Sequence, residues 1–148
     1  MRKLGRYTLT ACAAFHPMFL SELTDAQKRA LLVLARQIIA ADERLALQEL
    51  VRLEALYHEA HLPPETAAAP DRVADLNYMF STDRERAIVV LELLMVAVAD
   101  ASVDEREVAA VRDIANRMGV EPAQWEEMRA WALRYADLID EARSIGSA

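Results

Sequence analysis

Residues 87–118 read AIVVLELLMVAVADASVDEREVAAVRDIANRM, and this stretch decides the fold. Its first thirteen residues, 87–99, hold one polar side chain, Glu92, and neither Gly nor Pro. A helix that is apolar on nearly every side belongs in a core. Thirteen residues with a charge among them fall short of the about 20 needed to cross a bilayer. The reading is therefore a central buried helix over 87–101. The pattern breaks at Asp100-Ala-Ser-Val-Asp104, then resumes with Val108, Val111, Ile114, Ala115 and Met118 at three- and four-residue spacing, an amphipathic helix. Gly119 follows where a left-handed helix-ending residue belongs. Asp100 at the end of the first helix faces the negative pole of the helix dipole, an unfavourable placement. A local rule broken without evident gain directs attention to a site.

Working outward, the whole chain of 148 residues has the length of one domain. Its 28 Ala and 19 Leu, against three Gly and five Pro, favour helices. No segment alternates apolar and polar residues, so no strand is expected. The net charge of −7 argues against nucleic acid as a partner, because phosphate binding wants a basic face. Cys12 is the one cysteine, which excludes an intramolecular disulfide and a cysteine-rich zinc site and fits a reducing compartment.

Residues 1–17, MRKLGRYTLTACAAFHP, form a leader or docking segment. Leu9-Thr10-Ala11-Cys12 resembles a lipoprotein cleavage box, but the five residues between Arg6 and Cys12 are too few for an export signal. Cytoplasmic localisation is the expectation. Thr24 and Gln27 make a capping box ahead of a helix over 25–41 with Leu31, Leu34, Ile38 and Ile39 on one face. A second helix carries Leu47, Leu50, Leu53, Leu56 and Tyr57 and stops at Pro63-Pro64. Residues 65–70 are a linker and 71–80 a short helix. Thr82 and Glu85 form another capping box opening the core helix. Pro122 sits at the first position of a last helix striped by Trp125, Met128, Ala132, Tyr135 and Ile139. Residues 18–143 then constitute one helical domain and 144–148 a fraying tail.

Sliding the chain by 58 residues superimposes Ala41-Asp42 on Ala99-Asp100, Leu45 on Val103, Glu49 on Glu107, Leu53 on Val111, Leu56 on Ile114 and Pro64 on Pro122. The expected fold is an all-α bundle of about six to seven helices built from two pseudo-symmetric helix pairs. The pseudo-twofold would gather Asp42, Glu49, Asp100, Asp104 and Glu107, an oxygen-only set suited to a hard cation such as Ca²⁺ or Mg²⁺. The spacing is not that of an EF-hand. The competing reading makes the acids helix caps: Asp104-x-x-Glu107 is itself a capping-box pattern. Ala46, however, stands where Asp104 does, and alanine caps poorly while Glu49 is kept.

These corners resemble the TerB-like family, named for tellurite resistance, in Ala41-Asp42, Leu45 and Glu49 and again in Ala99-Asp100, Val103 and Glu107, over roughly residues 20–135. The resemblance implies an all-helical module with divalent metal at its acidic cluster and a role in stress response. The chain departs from the family pattern at Glu43 and Ala101, where the corner glycine usually sits, and at Ala46.

Other chemistry has little footing. His58 and His61 stand three apart and lack a third zinc ligand, and the pattern is not H-E-x-x-H. No nucleophile motif, phosphate loop or dinucleotide fingerprint occurs. Glu92 in the core helix reads as a snorkelling or Arg-paired carboxylate, or as a buried site acid. Three functions remain: a non-enzymatic TerB-like module with a divalent cation and a protein partner; an adaptor without metal, its acids serving as caps and its last helix as the binding face; and a metal-dependent hydrolase using the same carboxylates. The first is the expectation.

Overall fold

Thr82 and Glu85 start the central helix as the sequence predicts. The Thr82 Oγ1 accepts from the Glu85 amide at 3.2 Å, and the Glu85 carboxylate accepts from the Thr82 amide at 3.1 Å. This computed structural model describes residues 19–40, 47–62, 75–98 and 103–147, with the side chains of 47–52 excepted. After a 3-10 turn at Leu20–Glu22 come α1 (Asp25–Ala40), α2 (Leu47–Ala60), α3 (Leu76–Met79), α4 (Asp83–Ala97), α5 (Glu105–Arg117) and α6 (Pro122–Ser144). No strand occurs among the described residues, and no helix of theirs is long and apolar enough to cross a membrane.

α4 is the hub, packed by α1, α5 and α6, while α1 also packs on α2 and α5. Its sequence explains this. From Ile88 to Val98 every side chain but the half-buried Leu91 is buried, so α4 has no outward face to give to water. Each Leu, Ile or Val so placed contributes about 1.5–3 kcal/mol relative to exposure. α5 is the opposite case: Val108, Val111, Ile114 and Ala115 are buried, while Arg112, Asp113 and Asn116 face solvent. Leu31, Leu34 and Ile38 of α1 are buried as expected.

Two boundaries differ from the expectation. α4 ends at Ala97, with Val98 as its cap, rather than at 101. The corner aspartates Asp42 and Asp100 both lie outside the described residues. The helix predicted over 71–80 is one turn, because Asp75 in extended conformation caps it, its carboxylate accepting from the Tyr78 amide at 3.1 Å. Residues 1–17, the 65–70 linker and residues 71–74 also lie outside the described residues.

Some local features of the described residues stand 58 positions apart. α1 and α4 begin at Asp25 and Asp83. Thr24 and Gln27 close a capping box like that of Thr82 and Glu85. The boxes also touch: the Gln27 side chain, followed by the Thr82 amide, holds the Glu85 carboxyl below its ordinary value of 4.5. At the other ends, His61 (φ 53°) and Gly119 (φ 73°) both turn left-handed. Leu62 N–H donates to the Tyr57 carbonyl and Val120 N–H to that of Ala115, the paired bonds of a Schellman stop. A spatial twofold would relate the two corners, which lie in 41–46 and 99–102, outside the described residues.

These two stops respond oppositely to substitution. A Cβ at Gly119 meets nothing within 4 Å, so Gly119→Ala bears only the left-handed backbone cost, about 1–2 kcal/mol. His61→Gly removes the same strain and should raise stability by up to about 1 kcal/mol. Urea denaturation of both variants checks the pair; a Gly119→Ala protein as stable as the parent would refute the assignment.

Candidate functional site

α5 opens at the second corner, and two of the predicted acids lie in its first turn. Asp104 is the N-cap: its Oδ1 accepts from the Arg106 amide at 2.8 Å. Such a carboxylate answers both an orphan amide and the positive helix end. Glu107 behaves differently. It does not close a capping box with Asp104; it turns inward and is only 2% exposed. The reason is registry, since Glu107 shares a face with Val111 and Ile114, and that face is applied to the core. Burying a carboxyl costs several kcal/mol (an order-of-magnitude figure) unless charge or hydrogen bonds compensate.

Of the remaining acids, Glu49 is the third residue of α2, as Glu107 is of α5, but its side chain lies outside the described residues, as do Asp42 and Asp100. Among the described residues, no three His, Cys, Asp or Glu side chains converge where they could hold a metal. Asp104 and Glu107 are thus the described members of the set: oxygen donors one turn apart, one capping and one buried, of the chemistry a hard cation takes. His58 and His61 are exposed. A surface recess between the start of α4 and the α5–α6 turn, lined by Asp83, Arg86, Gly119, Gln124 and Met128, contains none of the five acids.

The structure adds a polar cluster that sequence reasoning missed. Glu92 is fully buried, so it does not snorkel; its Oε1 accepts from the Phe19 main-chain amide at 2.7 Å. Nearby, Arg84 forms a two-pronged ion pair with Glu22, at 2.9 and 2.7 Å, and lies over the Phe19 ring at 5.1 Å. The Arg84 hydrogen bond holds the Glu22 carboxyl below its ordinary 4.5. Burial, then the Glu92 charge, pushes the Tyr135 hydroxyl of α6 above 10.0. Phe19 and Glu22 are thereby fastened to α4. No local pattern announces a main-chain amide 73 residues from its acceptor.

Residues 68–130 match the family model described as tellurite resistance protein TerB. The match runs from before α3 into α6 and contains α4, the second corner, Asp104 and Glu107. A search of curated proteins and a search of solved structures found no match.

Proposed function

We propose, from the match of residues 68–130 to the TerB family model, that the chain is a non-enzymatic helical module whose acidic corners bind a divalent cation. The observation that carries this reading is the buried carboxyl of Glu107 in the first turn of α5, beside the corner that carries Asp100 and Asp104. A carboxyl withdrawn from water at an acidic corner is what a Ca²⁺ or Mg²⁺ site requires of one of its ligands. Asp42, Glu49, Asp100, Asp104 and Glu107 would supply oxygens. The cation would offset the mutual repulsion of the carboxylates. The module would then act as a cation-stabilised scaffold for a protein partner in a cytoplasmic stress response of the tellurite type, without turnover of its own.

A second reading has its own observation. One oxygen of Asp104 is already spent on the Arg106 amide, as a plain cap would have it. The protein would then be an adaptor in which the acids only finish helices.

A thermal melt separates the two. An ion that binds only the native state stabilises it by about 2.7 kcal/mol at a hundredfold excess over its dissociation constant. Millimolar-range Ca²⁺ or Mg²⁺ should therefore raise the Tm relative to chelator, and Asp100→Asn should shrink the shift. An unchanged Tm in the parent protein at saturating ion would retire the cation and leave the adaptor.

A further inference from the structure

α6 carries a second apolar row beside the one it gives to the core. Trp125 and Ala132 are buried in the bundle. To one side of them, Met128, Trp131, Tyr135, Leu138, Ala142 and Ile145 follow at alternating spacings of three and four, the a and d positions of a heptad. The row changes character along the helix. Met128, Trp131 and Tyr135 are half-buried, and the two rings stack with centroids 5.5 Å apart. Leu138 is 62% exposed, Ala142 is exposed, and Ile145 at the C-cap is 77% exposed. Every residue from Asp140 to Ser147 is exposed, so the end of α6 stands clear of the described bundle.

The positions flanking the row differ on its two sides. Toward the core stand Ala132 and Ile139, buried and half-buried, in the e positions. Toward solvent stand Arg134 and Glu141, seven apart, in the g positions. Both are exposed and belong to none of the ion pairs among the described residues.

We propose that this row is a contact between two copies of the chain, their α6 helices packed antiparallel about a twofold axis that passes between Tyr135 and Leu138. In that register each half-buried side chain of one copy meets an exposed one of the other. Tyr135 meets Leu138, Trp131 meets Ala142 and Met128 meets Ile145, and the largest side chain of the row faces the smallest. The charges select both the occupant and the direction. In an antiparallel pair g faces g, so Arg134 of each copy meets Glu141 of the other, and the twofold makes this contact twice. In a parallel pair g faces e, and Arg134 and Glu141 would face Ile139 and Gly146 instead. Residues 128–145 span roughly 26 Å of helix, a seam at the small end of specific interfaces, so the dimer is weak and reversible.

Sedimentation equilibrium of the full chain, from micromolar to millimolar concentration, should show monomer in exchange with dimer. Arg134→Glu and Glu141→Arg each turn two attractive pairs repulsive and should weaken association about tenfold. Both positions are exposed, so the melt of the dilute protein should not change. An equimolar mixture of the two variants regains both pairs and should associate like the parent, as should the double variant. A chain that stays monomeric throughout that range would overturn the proposal and leave the row to a different protein. So would a dimer indifferent to the single charge reversals, or a mixture of the two variants no more associated than either alone.

Discussion

Phe80→Ala is expected to destabilise the protein by about 3–5 kcal/mol, the usual cost of deleting a buried phenyl ring. Phe80 is fully buried and joins the one-turn helix α3 to α4. Its amide donates to the Leu76 carbonyl at 2.9 Å, and its own carbonyl accepts from Arg86 Nε at 2.9 Å. The main chain is held on both sides, so the surroundings cannot easily close over a lost ring, which places the cost toward the upper part of the range. At about 2–4 °C per kcal/mol for a chain of this size, the melting point should fall by about 10 °C. Phe80→Leu, which keeps most of the volume, should cost less than half as much. A loss below about 1 kcal/mol in urea denaturation of Phe80→Ala would mean that α3 is not packed as described.

Glu92→Ala should have the second largest effect, and its mechanism differs. Removing the carboxylate strips the Phe19 amide of the acceptor it has at 2.7 Å. Loss of this part-buried hydrogen bond to a charged acceptor costs about 1.5–3 kcal/mol, to which the space left in α4 adds. Glu92→Gln keeps an oxygen in place and should recover most of the loss. Hydrogen exchange at the Phe19 amide gives the specific readout: fast in the Ala variant, protected in the Gln variant. The Tyr135 hydroxyl offers a second check. Its pKa is raised by burial first and by the Glu92 charge second, so either substitution should bring it part of the way back toward 10.0. A Phe19 amide equally protected in all three proteins would show that Glu92 is buried for another reason.

What was readable in the sequence was local. Thr24 with Gln27, Thr82 with Glu85, Pro122 and Gly119 each fix a helix boundary through contacts within a few residues, and each stands where the pattern placed it. The apolar run of α4 required only counting. The failures share a cause as well. Glu92 meets a main-chain amide 73 positions away, and Arg84 meets Glu22 at a separation of 62. A main-chain partner leaves no residue-type signal, and two charges among many leave none that is specific. Glu107 misled in another way. Asp104-x-x-Glu107 has the spacing of a capping box, but the same carboxyl lies in line with Val111 and Ile114, and that burial prevailed over the cap. Of the candidate site, the sequence thus indicated a corner and its acids but not which acid turns inward.

The meeting of Gln27 with Glu85 has a consequence for how far the two halves can be alike. These residues occupy corresponding places 58 apart, and one helps hold the other's charge. A chain made of two copies of the first half would set amide against amide and leave the start of the central helix without an anion. One made of two copies of the second half would face carboxylate with carboxylate, each disfavouring the other. Only the mixed pair is complementary. The asymmetry at this point acts as a key and lock within one polypeptide.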